Sequence, residues 1–252
     1  MFIDRVMREP FVETVEETGS TNADLLSRIG SGERIVEGFW LRAERQVGGR
    51  GRLGRRWESP IGNLYCSTVI NLRGDDPAPH TLSFVAGLAC FDSLKRSLLP
   101  GAPITLKWPN DAQIGGAKVA GILLERIGQS VVVGIGINVS HAPDIARGET
   151  TSIVLENDKH GGDPRLVLSI LSKCFANRVD RWRNEPLTST LDDWISFAHP
   201  IGSALAVGDK DERVTGSFGG LDDEGALLLR LANGAMRTIH AGDVSMIAKK
   251  EV

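Results

Sequence analysis

Apolar positions repeat every three to four residues in four parts of the chain, and this period predicts helices. The four segments are 19–29, 80–99, 164–182 and 187–198. Ser20 or Thr21 can cap the first helix, and Pro164 suits the first position of the third. The second segment is predicted to be a long amphipathic helix. Its apolar stripe consists of Leu82, Val85, Leu88, Phe91 and Leu94.

Short segments rich in β-branched and aromatic residues lie between these helices and predict strands. They are 34–44, 63–72, 104–108, 118–127 and 130–139. The last two are almost continuously apolar, which predicts central strands buried on both faces. Pro109 with Asn110–Asp111 predicts a turn, and Gly115–Gly116 predicts a hairpin. This part of the chain is therefore expected to have an α+β fold, with a mixed central β-sheet flanked by helices.

The pattern changes after about residue 199, where short strands are separated by Gly, Asp and Asn turns. Short strands at close, regular spacing are typical of a small β-barrel. We therefore predict one domain over 1–198 and a second over 199–252.

The composition is that of an ordinary globular protein, since 41% of the 252 residues are hydrophobic and 24% are charged. The net charge of −3 argues against a protein whose main role is to coat nucleic acid. Residues 1–17 lack the apolar core of a signal peptide, and no apolar run approaches the ~20 residues that span a bilayer. Cys66, Cys90 and Cys174 lack CxxC spacing, which favours buried thiols over a disulfide or metal site. We expect a cytoplasmic protein with no membrane partner.

Candidate chemistry begins with the stretch GGRGRLGRRW at 48–57, which we call the arginine loop. It joins one predicted strand to another and lacks the Gly-Lys-Ser/Thr ending of a phosphate-binding loop. Glycines let backbone N–H groups approach a ligand closely, and arginines bind carboxylate or phosphate. Because the like charges repel, we expect the loop to order only around an anion. A solvated basic surface loop is the alternative, and Trp57 fits either a core position or a surface that stacks on a base.

Two further segments combine charge with close packing. In KWPND at 107–111, Asp111 fits a magnesium ligand, a group that orients an amine, or an ordinary Asx turn. Lys118 enters an otherwise apolar strand, so its ammonium must either reach solvent or face an anion. The glycines of GIGIN at 134–138 let another backbone or a flat ligand pack against a buried strand.

Taken together, these segments resemble the biotin protein ligase family. The matching pieces occur in family order and are STN at 20–22, Gln46, GRGRLGRRW at 49–57, NLYCS at 63–67, KWPND at 107–111, KVAGIL at 118–123 and GIGIN at 134–138. GGLDDEGALLL at 219–229 resembles the C-terminal barrel of the family. The resemblance implies a class II synthetase-like catalytic domain over 1–198, which binds biotin and ATP, and an SH3-like β-barrel over 199–252.

The resemblance also implies an ATP-dependent ligase. Such an enzyme uses ATP and Mg²⁺ to convert biotin to biotinyl-5′-AMP, then transfers biotin to one lysine of a biotin carboxyl carrier protein. The implied catalytic residues are Lys118, Arg52 and Asp111, with Lys118 at the bridging oxygen and phosphate and Asp111 assisting the metal or the incoming lysine. No residue is assigned as a metal ligand.

The implied binding residues are carried over by position. The biotin head group would meet Ser20, Thr21, Asn22 and Gln46. The biotin carboxylate and the adenylate phosphate would be wrapped by Arg50, Gly51 and Arg52. Adenine would be held by Trp57 and Asn138. The remaining candidates for substrate binding are Gly49, Arg55, Lys107, Asn110, Gly121 and Gly136.

The sequence departs from the family pattern at Val47–Gly48 and at Leu53, where other residues are more common. Neither departure removes a charge that the reaction needs. The catalytic signature begins at Ser20, so we expect no N-terminal winged helix-turn-helix, no binding to DNA and no repression of transcription. A homodimer and a monomer both stay open, as do two other functions: a lipoate or octanoate transferase of the same fold, and a non-enzymatic RNA- or phosphate-binding module.

Overall fold

The computed structural model describes residues 10–144, 148–156, 161–208 and 213–247, and its larger sheet has seven strands. The strands are β1 (Phe11–Thr18), β2 (Phe39–Gln46), β3 (Leu64–Asn71), β4 (Ile104–Lys107), β5 (Asp111–Ile114), β6 (Ala117–Ile127) and β7 (Ser130–Ile137). Their order is β1-β2-β3-β7-β6-β5-β4, with β1 parallel to β2 and the other pairs antiparallel. The predicted mixed central sheet is confirmed.

Helices cover both faces of this sheet. They are α1 (Thr21–Gly30), α2 (Leu82–Ser97), α3 (Pro164–Asn184) and α4 (Leu187–Phe197). Helix α1 packs with β2, β3 and β7 over a small core around Leu25 and Val132, whereas α2, α3 and α4 enclose the main core on the opposite face. Short 3-10 turns occur at Arg52–Gly54, Pro79–Thr81 and Val154–Glu156. The four predicted helices are therefore present.

Helix α2 differs from the prediction of an amphipathic helix. Residues on nearly all of its sides are buried, including the polar Ser93 and Ser97. The sheet lies against one side, and α3 and α4 cover the others. The hydroxyl of Ser97 donates to the carbonyl of Ser93 at 2.9 Å, so this buried polar group is paired. The prediction of an amphipathic helix is wrong for most of α2, because the sheet, α3 and α4 leave only Lys95 and Arg96 near its C-terminal end exposed.

Two features of the sheet also differ from expectation. Strand β1 was not predicted, because its sequence FVETVEET is highly charged and most of its side chains are partly or fully exposed at the sheet edge. Strand β7 is central and largely buried, as predicted, but β6 is buried at only some positions. The half-buried Gly121 and Leu123 on β6 line a cavity, which explains why this strand is apolar without being fully covered.

A second sheet follows, with the strands β8 (Ala204–Val207), β9 (Val214–Leu221), β10 (Leu227–Arg230), β11 (Met236–Ile239) and β12 (Val244–Met246). Their order is β11-β10-β9-β8-β12. Within the described residues β11 and β12 are edges and do not pair, so the closed SH3-like barrel expected from the sequence is not confirmed. The domain boundary at residue 199 stays a prediction.

No helix within the described ranges is long and apolar enough to span a membrane. Much of the N-terminal segment, whose composition argues against a signal peptide, lies outside the described residues. Cys66, Cys90 and Cys174 are buried free thiols, as predicted, and burial is the main cause that raises the pKa of each.

The contact between α2 and α3 generates a stability prediction. The indole Nε1 of Trp182, a fully buried residue, donates to Thr81 Oγ1 at 2.8 Å. Thr81→Val keeps the volume of the side chain but leaves the indole N–H without its acceptor. We expect the free energy of unfolding in urea to fall by ~1–3 kcal/mol. Thr238→Val, at an exposed position of β11, is the control and should change stability little; equal losses in both variants would contradict the assignment.

Candidate active site

A cavity of about 850 Å³ opens between the N-terminus of α1, the arginine loop, β5–β7 and the second sheet. Its wall contains 16 of the 17 site residues that were predicted from the sequence. They are Ser20, Thr21, Asn22, Gln46, Arg50, Gly51, Arg52, Arg55, Trp57, Lys107, Asn110, Asp111, Lys118, Gly121, Gly136 and Asn138. Gly49 is buried behind this wall, where its carbonyl accepts from the Trp57 amide at 2.9 Å.

One end of the cavity is a network of buried polar side chains. The Oε1 atom of Gln46 accepts from the Thr21 amide at 2.9 Å and from the Thr21 hydroxyl at 3.2 Å. The Ser67 hydroxyl lies 2.7 Å from the Thr21 hydroxyl and donates to Asn22 Oδ1 at 2.6 Å. Asn22 Nδ2 donates to Glu125 at 2.8 Å. Ser20 is the N-cap of α1 by position, but its side chain makes no capping bond there.

This polar end requires a glycine on the neighbouring strand. A Cβ atom at Gly134 would lie 2.8 Å from Asn22 Cγ and closer still to its amide oxygen. Glycine is therefore the residue that lets α1 place its first turn directly against β7.

The indole of Trp57 lies on a floor made by two other glycines. Gly121 of β6 and Gly136 of β7 are partners in the strand register. A Cβ atom at Gly136 would lie 2.7 Å from the indole, and one at Gly121 would lie 2.9 Å from it. The Trp57 ring also lies 5.2 Å from the ammonium of Lys118, and its buried Nε1 has no hydrogen-bond partner among the described residues.

The centre of the cavity is charged. Lys118 Nζ lies 2.6 Å from Asp111 Oδ1, and Lys107 Nζ lies 3.9 Å from Asp111 Oδ2. Lys107 and Asp111 are opposite each other on β4 and β5, so the KWPND turn sets this pair. Asn110 closes the turn by donating to the Ile122 carbonyl at 2.7 Å. Two lysines converge on one carboxylate, which leaves a positive charge facing the cavity.

The arginine loop folds as a small hairpin across the mouth of the cavity. The Gly51 amide donates to the Arg55 carbonyl at 2.7 Å, and Arg50 forms an isolated bridge with Arg56. Arg52 Nη1 lies 3.5 Å from Asn110 Oδ1, and burial lowers the pKa of the Arg52 guanidinium, against the opposing effect of Asp243. This position at the mouth disfavours a merely solvated surface loop. Ordering around an anion stays a prediction.

The far end of the cavity holds Asn138. Its Nδ2 donates to the Thr151 carbonyl at 3.0 Å, and its backbone amide donates to Val119 at 2.8 Å. Its buried Oδ1 has no partner among the described residues. The side chain is therefore fixed, with an acceptor still unpaired.

Comparisons with known proteins identify sequences and structures that are similar to this chain. The profile of the Biotin/lipoate A/B protein ligase family matches residues 26–141, and that of the Biotin protein ligase C terminal domain matches 201–246. The biotin--[acetyl-CoA-carboxylase] ligase of Paracoccus denitrificans is 37% identical over 225 residues, which cover 84% of this chain and 91% of that protein. The protein of the same name from Mycobacterium tuberculosis is 38% identical over 240 residues, covering 92% and 88%.

The chain belongs to the biotin protein ligase family. A solved structure also supports this: the biotin protein ligase from Aquifex aeolicus in complex with biotin and ATP matches with a TM-score of 0.79 and 27% identity. The match covers 94% of this chain and 98% of that one. The resemblance drawn from the sequence is confirmed, as is the prediction of a ligase. Membership in the biotin protein ligase family does not test the role of any single residue.

Several residues of the candidate active site were not predicted from the sequence. Ser67 and Glu125 complete the polar end, and their distance in sequence from Asn22 hides the contact. The second sheet contributes Arg213, Asp243 and Ser245 to the wall. Asp243 forms an ion pair with Arg55 of the arginine loop. No local pattern distinguishes these charges from an ordinary solvated surface.

No group of three or more His, Cys, Asp or Glu that could hold a metal ion occurs in the described part of this family member. A magnesium ion bound through one carboxylate and nucleotide phosphates needs no such group. Asp111 is the carboxylate that lies beside the lysines.

His199 links the site to the second sheet and generates a pH prediction. Burial, together with the charge of Lys107, lowers the pKa of His199, and its buried Nε2 has no partner among the described residues. In the unfolded chain the imidazole of His199 becomes protonated below about pH 6.5, whereas in the folded protein it becomes protonated only at a lower pH. The free energy of unfolding should therefore fall as the pH drops from 6.5 towards the folded pKa.

His199→Gln should flatten that loss, as measured by urea unfolding at pH 7.5 and 5.5. His240→Gln, at an exposed position, is the matched control and should keep the wild-type slope. The same slope in wild type and His199→Gln would show that other groups carry the effect.

Proposed function

We propose that this member of the biotin protein ligase family activates biotin with ATP to biotinyl-5′-AMP and then transfers biotin to a lysine of a biotin carboxyl carrier protein. One observation carries the proposal: a single cavity joins a prebuilt polar pocket to a cluster of arginine and lysine. The relatives named biotin--[acetyl-CoA-carboxylase] ligase and the Aquifex aeolicus complex with biotin and ATP support it.

The polar end suits the biotin head group. A cyclic urea presents one carbonyl and two N–H groups, and this end of the cavity offers both donors and acceptors. Thr21, Asn22 and Gln46 are already held by hydrogen bonds to one another or to Ser67, so little ordering is needed on binding. Ser20, whose hydroxyl does not cap the helix, completes this pocket.

The charged centre suits the reacting groups. In the first step an oxygen of the biotin carboxylate attacks the α-phosphorus of ATP, the α–β P–O bond breaks, and pyrophosphate leaves. Two anions must meet, so positive groups have to neutralise charge before and during the reaction. Arg50, Arg52 and Lys118 supply that charge. Gly49 and Gly51 lie next to these two arginines in the arginine loop. Arg55 holds the loop to Asp243.

The adenine base is held by Trp57 and Asn138. The indole offers a flat face for stacking, supported from behind by Gly121 and Gly136. Asn138 Oδ1, which lacks a partner among the described residues, suits the exocyclic amine of adenine. Asn110 and Lys107 hold the turn that positions Asp111.

In the second step the lysine amine of the carrier attacks the acyl carbon, AMP leaves, and the amine loses a proton. Asp111 orients the incoming ammonium group or contacts a magnesium ion bound to the nucleotide. Such an ion would neutralise charge on the phosphates of ATP in the first step, before pyrophosphate leaves. The arginine loop closes over the adenylate and excludes water, which would hydrolyse the mixed anhydride.

The finer parts of this proposal have their own tests. We propose that 1–198 is the catalytic domain and that 199–252 is an SH3-like barrel, which limited proteolysis at the junction can check. We also propose that the protein does not repress transcription, and sequence-specific binding to an operator at physiological salt would contradict this. Sedimentation distinguishes the homodimer from the monomer.

The decisive experiment measures pyrophosphate release with ATP and either biotin or lipoate, followed by mass spectrometry of an added carrier domain. We expect release only with biotin and a single biotinylated lysine. Greater incorporation of lipoate would favour the lipoate or octanoate transferase. Salt-sensitive RNA binding without ATP consumption would favour the non-enzymatic module.

Lys118→Ala should lower the rate of pyrophosphate release by ~100-fold or more, because it removes the cation nearest Asp111 at the reacting centre. Steady-state release at saturating biotin and ATP measures this. Lys95→Ala, at an exposed position of α2, is the control for losing a lysine. A near-normal rate in a folded Lys118→Ala protein would remove Lys118 from the mechanism.

Arg52→Ala should release the adenylate ~10–100-fold faster, because a half-buried guanidinium and its charge-assisted hydrogen bonds are lost. The freed adenylate would then biotinylate lysines of an unrelated protein such as serum albumin, which blotting detects. Gly49→Ala should act in the same direction, since its Cβ would lie 2.6 Å from the Trp57 carbonyl. Arg237→Ala, on the exposed face of β11, should not leak; unchanged leakage in both loop variants would show that the loop is not a lid.

A further inference from the structure

The motif GGLDDEGALLL has no part in the chemistry above, yet it forms a rigid turn. The turn lies between β9 and β10 at Asp222–Ala226. Asp222 Oδ1 accepts from the Glu224 amide at 3.0 Å and from the Ala226 amide at 2.8 Å. The Asp222 amide donates to the Ala226 carbonyl at 2.9 Å, and the Gly225 amide donates to the Asp222 carbonyl at 3.0 Å. Both backbone and side chain fix the conformation of this turn.

Two successive carbonyls of the turn point at the larger sheet and its helices. The Gly225 carbonyl accepts from the indole Nε1 of Trp108 at 3.1 Å, and the Glu224 carbonyl lies 2.8 Å from Nε2 of His80. Gly225 has a φ of +87°, and a Cβ atom there would lie 2.7 Å from Phe84 Cζ. The turn therefore touches the first part of the chain so closely that only glycine fits.

Trp108 is the second residue of KWPND. It is buried against apolar side chains of the second sheet, among them Leu205, Phe218 and Leu227. An indole has a single donor and no acceptor, so its hydrogen bond fixes the ring orientation. Lys107, directly before it, faces Asp111 across the strand pair.

We propose that the Asp222–Ala226 turn is a positioning element for the adenylation step. Through Gly225 it holds Trp108, and through Trp108 it keeps Lys107 and Asp111 aligned with Lys118. The second sheet would then act on the chemistry and not only on stability or on carrier docking. This inference rests on the proposed function. Gly225 acts as a positioning residue through Trp108, which itself lines the cavity.

The test compares turnover with binding. Trp108→Phe keeps an aromatic ring but removes the donor, and Gly225→Ala adds a methyl group against Phe84. We expect each variant to lower kcat of pyrophosphate release about tenfold, which corresponds to the loss of one hydrogen bond. The Kd for biotin, measured by calorimetry, should not change, because the hydrogen bonds of the polar end join residues of α1, β2, β3 and β6 and involve neither Trp108 nor the turn. Circular dichroism at the assay temperature establishes that the variants are folded.

Gly234→Ala is the matched control. Gly234 also occupies a turn of the second sheet with a φ of +84°, but a Cβ atom there meets nothing within 4 Å. The Gly234→Ala substitution introduces the same backbone strain as Gly225→Ala but no contact with Phe84. Its kcat should therefore stay at the wild-type value. An equal loss of kcat in Gly234→Ala, unchanged kcat in folded Trp108→Phe and Gly225→Ala, or a matching loss of biotin affinity would overturn the inference. If the wild-type protein itself releases no pyrophosphate with biotin and ATP, the proposed function fails instead.

Discussion

The site depends on the absence of side chains at three places on β6 and β7. A Cβ atom at Gly134 would lie 2.8 Å from Asn22 Cγ, one at Gly136 would lie 2.7 Å from the Trp57 indole, and one at Gly121 would lie 2.9 Å from the same ring. These contacts are shorter than ordinary packing allows, so the first turn of α1 and the end of the arginine loop can reach the sheet only over glycine. The cavity then gains both its polar end and its aromatic wall from a single stretch of central sheet.

Charge placed on this floor needs balancing while the cavity holds no anion. Asp111 lies between Lys107 and Lys118, and Asp243 pairs with Arg55, so acidic partners offset part of the positive charge. Ion pairs that are partly buried cost desolvation, and substrate anions can take over the role of the carboxylates. Such an arrangement holds the cationic groups close together and leaves a net positive charge that favours an anion in the cavity.

Local patterns in the sequence revealed most elements, and nearly all of the site residues that they predicted lie in the cavity wall. The arginine loop, KWPND and GIGIN are short continuous motifs, so each can be recognised from neighbouring residues in the sequence. Strand β1 was not predicted, because an exposed, charged edge strand lacks the apolar alternation that is typical of a half-buried strand. The contacts of Asn22 with Ser67 and Glu125 depend on strand order, which periodicity does not contain. The same holds for β11 and β12, whose failure to pair leaves the second sheet open within the described residues.

The second sheet contacts the site at two separate places, so its stability affects both of them. Asp243 pairs with the arginine loop at the mouth, while Gly225 binds Trp108 behind the charged centre. Asp243 and Gly225 lie next to strands of one sheet, so a movement of that sheet would displace both contacts. Under the proposed function, closure over an adenylate and alignment of the lysines would share this one support. The proposed function therefore involves the small C-terminal sheet as well as the larger one.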